Sequence, residues 1–531
     1  PKMISARLTL SSLSASHKLS VIAFEAKTAK HSKQIIEQSM IFPFIILLEF
    51  SKNKTGPKEK NMRKYTGVMH QPFDIVRNIM KIPCAKRLAF IVSGLSFLEP
   101  GLTSIQFNNM TMIATALILG SGFNLSTISR MWLKEKAVST LSHFMSDAKF
   151  YVPELELLYI KRIQEMYHIN KGNFIIDDTM KHHTNFCKWI HGVFILFDHA
   201  LHTNLKATCI VFLYFSDGCL INFPITFRIY YKDTDKMPWQ RRKVKECKAK
   251  YELAIEMLQW ALSVGFPKCT VLADSWFGTG PFIKGLKLLE LSYVIEVKKS
   301  YKVRVPSKST KLTPTGKVAK RQYDLISMPK YYKGIKSINK YGLAPDQDSG
   351  KSEKVLYHTK AATIRLNSIS GKHRIIESID PARATTKYLL TDHLTWEAGK
   401  IISEYTNRWV IEEFFRNAKQ LTDMEGATIR SEQGITTALS LVSWIDSLLH
   451  FESYKQSIAD KLTKGSLTIP SIVRRAQYDN LKALLNRAIS EEDYIHRWLS
   501  VEEDNIIRIR KQKKELVTIE EVETYSKGKA A

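Results

Sequence analysis

Two short apolar runs in this sequence each stop at an aspartate. Phe174–Ile176 leads into Asp177 and Asp178, and Thr270–Ala273 leads into Asp274. A short apolar run bounded in this way is typical of a buried strand. We therefore predict two buried strands whose carboxyl ends each place an acid at a cleft. Either acid taken alone could instead cap a following helix, so the pair is informative only together with a third acid.

A third acid lies in a stretch with helical periodicity. Tyr405, Arg408, Glu412 and Lys419 follow one another at spacings of three, four and seven residues. On an α-helix these four side chains fall within roughly 60° of one another. The adjoining arc is apolar and predicts a core-facing stripe, formed by Val410, Ile411, Phe414, Phe415, Ala418 and Leu421. The alternative is that the polar edge is the solvated face of an ordinary surface helix.

The polar edge of this helix suits phosphate chemistry. Glu412 can hold a divalent cation, because carboxylate oxygens are ligands for such ions. Arg408 and Lys419 can hold phosphodiester oxygens through charge-assisted hydrogen bonds. The phenol of Tyr405 can hydrogen-bond or stack.

Together, three acids from distant segments form a candidate cation site, namely Asp177, Asp274 and Glu412. Carboxylates on rigid strands and helices are the ligands that Mg²⁺ or Mn²⁺ prefers. Two such ions could activate an attacking oxygen and stabilise the leaving oxygen at phosphorus. The prediction requires that the fold brings the three acids into one pocket.

The same residues resemble the bacterial DDE transposases of insertion-sequence family four. That family carries Tyr-x2-Arg-x3-Glu-x6-Lys around its last catalytic acid, and the pattern is complete here as Tyr405, Arg408, Glu412 and Lys419. Its first acid lies in a hydrophobic-Asp-x-Thr element, matched by Ile176–Thr179, and its second follows a hydrophobic strand, matched by Leu272–Asp274. The pattern assigns the first acid to Asp177 and leaves Asp178 as its neighbour. The resemblance covers roughly residues 80–455.

The resemblance implies a DNA transposase with two Mg²⁺ or Mn²⁺ ions. Such an enzyme cuts double-stranded DNA at the terminal inverted repeats of its element and joins the released 3′-hydroxyl to target DNA. It implies a homodimer in the synaptic complex and a location in the bacterial cytoplasm at the nucleoid. Two other functions stay open: an RNase H-like nuclease without strand transfer, and a catalytically inactive or domesticated DNA-binding protein.

Five side chains near the acids are candidate DNA contacts. By the resemblance, Tyr405, Arg408 and Lys419 would position the backbone near the scissile bond. Trp276 or Trp409 could stack on a displaced base, and the helical angle of Trp409 lies off the apolar stripe. A purely structural role is the alternative for either tryptophan.

The order of predicted elements indicates an α/β fold, an RNase H-like mixed sheet flanked by helices. We predict strands at 173–178, Ala207–Phe215, Cys219–Tyr231, 270–273 and Tyr293–Lys298, and helices at Glu246–Val264, Pro281–Leu289 and from near Thr395 to Leu421. We divide the chain into a poorly structured extension (1–61), a helical DNA-binding region (62–165), the first part of the core (166–299), a basic β-rich insertion (300–385), the second part of the core with the catalytic helix (386–455) and a helical C-terminal region (456–531).

The insertion is a candidate DNA-binding surface. Lys298 to Lys340 holds thirteen Lys or Arg residues against one acid, Asp324, with tyrosines interspersed. Lysine and arginine attract phosphates regardless of base sequence, and tyrosine can stack on exposed bases. We therefore propose DNA contacts there, with Arg304, Lys320 and Arg321 as candidates. The alternative is a solvated basic loop.

The helical regions at both ends supply further candidates. Met110–Leu119 and Leu125–Lys134 read as helix, turn and helix with Asn124 or Ser126 as the N-cap, and could read transposon ends in the major groove. Such hairpins are also ordinary packing units. A basic run at 506–514 is a second possible DNA or partner contact.

Bulk composition agrees with a nucleic-acid partner. The 531 residues carry a formal net charge of +28, with a pI near 9.6, which favours a polyanionic partner. The longest apolar runs are too short to span a bilayer, so no membrane association is expected. The six cysteines are scattered without a Cys-x-x-Cys pair, which fits a reducing compartment and argues against a zinc site.

Overall fold

The computed structural model describes residues 83–491, except 133–135, 184–189, 199–200, 232–246, 308–322, 337, 344–354, 381–383, 428 and 461–466. The predicted extension over 1–61 and the basic run at 506–514 lie outside these residues. Within them, the predicted α/β fold is confirmed as a ten-stranded mixed sheet flanked by helices. No described helix combines the length and the apolar character that spanning a bilayer requires.

The helices before the sheet form an apolar layer of their own. In the described part of the chain they are α1 (Ala89–Gly94), α2 (Ser104–Ile118), α3 (Leu125–Arg130), α4 (Val138–Asp147) and α5 (Val152–Met166), with a 3₁₀ helix at Ser96–Gly101. A capping box starts α2, because Thr103 and Gln106 each accept the other's backbone N–H. From Met110 onward every residue of α2 is buried, so this helix serves as a core helix.

The predicted helical hairpin differs from the expected one in its second helix. Asn124 caps α3 as expected, accepting from the backbone N–H of Ser126 and Thr127. However, α3 ends at Arg130 after six residues, and the following Met131 and Trp132 are buried. Six residues span only about 9 Å, which leaves little helix to lie along a major groove. In this structure the hairpin packs into the core through Met131 and Trp132, and DNA reading by it stays a prediction.

The first six strands build the core of the sheet. They are β1 (Asn173–His182), β2 (Phe194–Asp198), β3 (Thr203–Ser216), β4 (Asn222–Tyr230), β5 (Thr270–Ala273) and β6 (Tyr293–Val297). Strand β3 pairs antiparallel with β1, β2 and β4, whereas β5 is parallel to both β1 and β6. The parallel strands are joined through α6 (Lys250–Ser263) and α7 (Gly280–Leu288), as parallel crossovers require. The sequence reading missed β2, which is only five residues long.

The predicted insertion, 300–385, adds strands to this sheet. It contains β7 (Lys302–Pro306), β8 (Tyr323–Ser327), α8 (Met328–Lys333), β9 (Asn339–Leu343), β10 (Val355–Ile364) and β11 (His373–Asp380), whereas β12 (Thr385–Thr391) begins at its last residue. Strands β7 and β8 form a separate ribbon, while β9 to β12 pair antiparallel in turn and β12 pairs with β6. Strand β12 therefore covers the edge that β6 would otherwise expose.

Four helices complete the described chain: α9 (Ala398–Thr406), α10 (Trp409–Leu421), α11 (Glu432–Ala459) and α12 (Ile469–Ser490). The single helix predicted from Thr395 to Leu421 is wrong, because it divides into α9 and α10. At the junction the N–H groups of Arg408 and Ile411 bond to carbonyls three residues back. This is 3₁₀ bonding, which tightens the chain to about three residues per turn. The predicted apolar stripe of α10 packs inward, with its members buried or partly buried.

Candidate active site

Three adjacent parallel strands carry a row of acids, although β1 continues past Asp177 to His182, beyond the predicted strand end. Ile176 of β1 pairs with Ala273 of β5, which in turn pairs with Ile295 of β6. The next residue on each strand is an acid: Asp177, Asp274 and Glu296. Neighbouring strands lie about 4.8 Å apart, so three carboxylate-bearing residues stand side by side. Two of them are the predicted acids, and Glu296 was not predicted.

The third predicted acid joins this row through an arginine. Arg408, at the start of α10, donates from Nη1 to Oδ2 of Asp177 at 2.9 Å and from Nη2 to Oε1 of Glu412. Its side chain is nearly buried, with 8% of the residue exposed. Its Nε is also buried and has no hydrogen-bond partner among the described residues. The guanidinium of Arg408 therefore contacts both Asp177 and Glu412.

The electrostatics of the row are those of crowded carboxylates. Burial, and then the charge of Asp274, raise the pKa of Asp177 to about 7, although Arg408 opposes the shift. Burial also raises the pKa of Asp274, and the neighbouring Asp178 and Glu296 add to this effect. Negative charge concentrated in a partly buried site is stabilised by cations.

The donor set fits Mg²⁺ or Mn²⁺, because it consists of carboxylate oxygens on neighbouring strands and a helix. Within the described residues, no three His, Cys, Asp or Glu side chains already stand at metal-binding spacing. Arg408 is instead bonded between Asp177 and Glu412. The two acids would have to turn from Arg408 toward a cation to share it.

Tyr405 contacts the row of acids through Glu296. It belongs to α9, so the four signature residues are divided between two helices, contrary to the prediction of one continuous helical edge. The phenol is buried and donates to Oε2 of Glu296 at 3.0 Å. The ring also lies beside Arg408, whose Cζ is 5.7 Å from its centroid. These contacts place Tyr405 against protein groups, away from the surface where a base could stack.

Asp178 projects to the other side of the sheet from Asp177, as successive strand residues do. Its Oδ2 accepts from Nζ of Lys250 on α6 at 2.9 Å and lies 3.4 Å from Sγ of Cys209. The structure therefore brings Asp177, and not Asp178, into contact with the arginine that holds Glu412. Asp178 remains close enough to raise the pKa of Asp274.

Both candidate tryptophans are accessible. Trp409 is 52% exposed on α10, and Trp276 is 43% exposed two residues after Asp274. Two lysine ammonium groups lie near the Trp276 ring, Lys250 at 4.8 Å and Lys298 at 5.2 Å from its centroid. The tryptophan is therefore set among cations that could hold phosphates.

The remaining candidate DNA contacts lie apart from the acids. Lys419 is in the last turn of α10, whereas Glu412 is in its first turn. It pairs with Glu425 at 2.8 Å. Arg304 is exposed on β7, where it bonds Asn367 of the chain itself. Lys320 and Arg321 lie outside the described residues.

Comparison with known families agrees with this geometry. Residues 111–332 match the model described as DDE superfamily endonuclease, and residues 242–445 match the model described as Transposase DDE domain. These matches support a DDE transposase. Asp177 falls in the first match, Glu412 in the second and Asp274 in both. No curated protein matches the chain.

A DDE transposase acts on DNA, and its family generally uses divalent metal ions. Our prediction from the sequence missed Glu296. A signal was present, since Tyr293–Val297 reads as a third buried strand and Glu296 is its one acid. Only the register between β5 and β6 places that acid beside Asp274.

Proposed function

We propose that this protein is a transposase of insertion-sequence family four that cuts DNA at terminal inverted repeats and joins the 3′-hydroxyl to target DNA. The supporting observation is that Arg408 bonds both Asp177 and Glu412, while Asp274 follows the strand next to Asp177 and, after burial, its charge raises the pKa of Asp177. The two family matches that contain these acids agree with it.

The three acids would hold the cations, Asp177 from β1, Asp274 from the end of β5 and Glu412 from α10. When bound, two Mg²⁺ or Mn²⁺ ions would activate the attacking oxygen and stabilise the leaving oxygen. Arg408, released from its acids, would turn its fork of donors toward a phosphodiester oxygen. Its Nε is buried and has no hydrogen-bond partner among the described residues, so it is available for such a bond.

DNA contacts around this centre would come from both tryptophans and from basic side chains. Trp276, with Lys250 and Lys298 beside it, lies next to Asp274, and Trp409 begins the helix of Glu412. Basic side chains farther out would follow the phosphate backbone, namely Lys419, Arg304, Lys320 and Arg321. We propose that two copies act together in the synaptic complex.

A strand-transfer assay tests the proposal. A duplex ending in the inverted repeat that flanks the gene, with a free 3′-hydroxyl, is incubated with plasmid target and Mg²⁺. The wild-type chain should form joined product. Asp274→Asn should bind the duplex like the wild type but join and cut about 10³-fold more slowly, since a catalytic metal contributes several kcal/mol. The control is Glu413→Gln, an exposed acid on α10 that pairs with Arg416 and should be active.

Each other outcome overturns part of the proposal. Cutting without joining would identify a nuclease, and binding without cutting would identify a DNA-binding protein. Normal cutting by Asp274→Asn would show that the active site lies elsewhere.

A further inference from the structure

Glu296 occupies a position in the sheet equivalent to those of Asp177 and Asp274. It follows Ile295, the register partner of Ala273, just as Asp274 follows Ala273 and Asp177 follows Ile176. Its side chain is on the same side as Tyr405, with about a fifth of its surface exposed. A carboxylate in this place extends the row from two acids to three.

The contacts of Glu296 leave one oxygen available. Oε2 accepts from the Tyr405 hydroxyl at 3.0 Å and lies 3.2 Å from Nζ of Lys387. No described residue contacts Oε1 at hydrogen-bonding distance. Anchoring through one oxygen fixes the carboxylate and leaves the other for a ligand, as the supporting contacts of metal-binding carboxylates do.

The balance of charge around the row calls for further cations. Four carboxylates lie in this region, contributed by Asp177, Asp274, Glu296 and Glu412. Among the described residues, the basic groups in ion pairs with them are Arg408 and Lys387. These two groups compensate at most two of the four carboxylates, and uncompensated charge in a partly buried place is costly. Asp178 is paired with Lys250 on the other side of the sheet.

We propose that Glu296 is a fourth carboxylate of the cation site, with Tyr405 as the residue that positions it. The inference rests on the proposed function, because it assigns Glu296 to the site formed by Asp177, Asp274 and Glu412. It assigns Tyr405 the role of fixing the position of the Glu296 carboxylate.

Calorimetric titration of the full-length chain with Mn²⁺, without DNA, tests the assignment independently of activity. Glu296→Gln removes the charge but keeps an oxygen that can accept from Tyr405. It should weaken Mn²⁺ binding by about 10-fold or more, the effect typical of groups around metal sites. Tyr405→Phe keeps the carboxylate and should change the affinity much less. Glu413→Gln is the matched control and should bind Mn²⁺ like the wild type.

The variants separate failure of this inference from failure of the proposed function. If Glu296→Gln bound Mn²⁺ with wild-type affinity while Asp274→Asn lost binding, only the role of Glu296 would be overturned. Stronger weakening by Tyr405→Phe than by Glu296→Gln would show that the phenol, and not the charge of Glu296, supports cation binding, which also overturns it. If Asp274→Asn bound Mn²⁺ with wild-type affinity, the whole cation site would be overturned. Thermal unfolding of each variant identifies any that fail to fold.

Discussion

At the residue scale, Arg408 organises the site. Its planar guanidinium reaches Asp177 on the sheet and Glu412 on α10 at once, which the single ammonium of a lysine would do less well. Without it, two acids drawn from segments far apart in the chain would face each other with no counter-charge. The same residue that could hold a phosphate therefore also stabilises the protein before DNA arrives.

Removing this guanidinium should destabilise the metal-free protein. We expect Arg408→Gln to lower the free energy of unfolding by about 2–3 kcal/mol, since buried acids lose their cation. Added Mn²⁺ should restore part of that loss, because a bound cation replaces the missing charge. Urea unfolding with and without Mn²⁺ measures both effects. Arg416→Gln, which removes an exposed pair on the same helix, should change stability by under about 1 kcal/mol. Equal losses in the two variants would contradict the stabilising role of Arg408.

At the scale of elements, α10 is held in place by aromatic packing. Phe414 is buried and lies against two rings of β3, with centroids 5.1 Å from Phe212 and 5.3 Å from Tyr214. In β3, Phe212 is the register partner of Asp177 in β1. The packing that fixes α10 therefore also sets the distance from Glu412 to Asp177.

Truncating this ring should loosen the helix that carries Glu412. Phe414→Ala should cost about 3–5 kcal/mol, as large-to-small changes of buried aromatic residues do. Phe414→Leu keeps more of the volume and should cost clearly less. Trp409→Ala, on the exposed side of the same helix, should stay within about 0.5 kcal/mol of the wild type. Urea unfolding ranks the three variants, and a large loss in Trp409→Ala would show that the inward face is assigned wrongly.

At the scale of the whole molecule, α11 crosses the core and carries buried polar groups into it. Asp446 accepts from the hydroxyl of Tyr214 at 3.3 Å and lies 3.8 Å from Nε2 of His450. Burial raises the pKa of Asp446 to about 8 and lowers the pKa of His450 to about 4. Both side chains are therefore neutral in the folded protein at pH 7, in spite of their closeness.

This cluster predicts a pH-dependent stability. The folded protein keeps the proton on Asp446 up to about pH 8, whereas the unfolded carboxyl, with a pKa of 3.8, has already released it. Stability is therefore lost as the pH rises toward 8 and levels off above it. Below pH 6.5 the depressed pKa of His450 works in the opposite direction, so the clearest window is pH 6.5–8.

The variant Asp446→Asn isolates the effect. Across that window the wild type should lose about 2 kcal/mol relative to Asp446→Asn, at about 1.4 kcal/mol per pH unit. Urea unfolding at several pH values gives the comparison. Parallel pH profiles for the two proteins would contradict the assignment of a protonated Asp446.

The sequence by itself determined the local features whose causes are local. The apolar runs before Asp177 and Asp274 predicted strands, and the inward stripe around Phe414 predicted an amphipathic helix, because burial patterns follow the period of each element. The order of those elements was enough to predict the mixed sheet. The chemistry of the acids and the signature residues indicated phosphodiester cleavage, and the family matches support that class of enzyme.

Tertiary structure alone decided which groups meet. Glu296 joins the acids only through the register between β5 and β6, and Asp177 is distinguished from Asp178 only by the face on which α10 packs. The 3₁₀ turn before α10 divides a signature that a regular 3.6-residue period had predicted to lie along one helix. Contacts between residues more than a hundred positions apart depend on strand pairing and helix packing, and neither leaves a periodic trace in the amino-acid sequence.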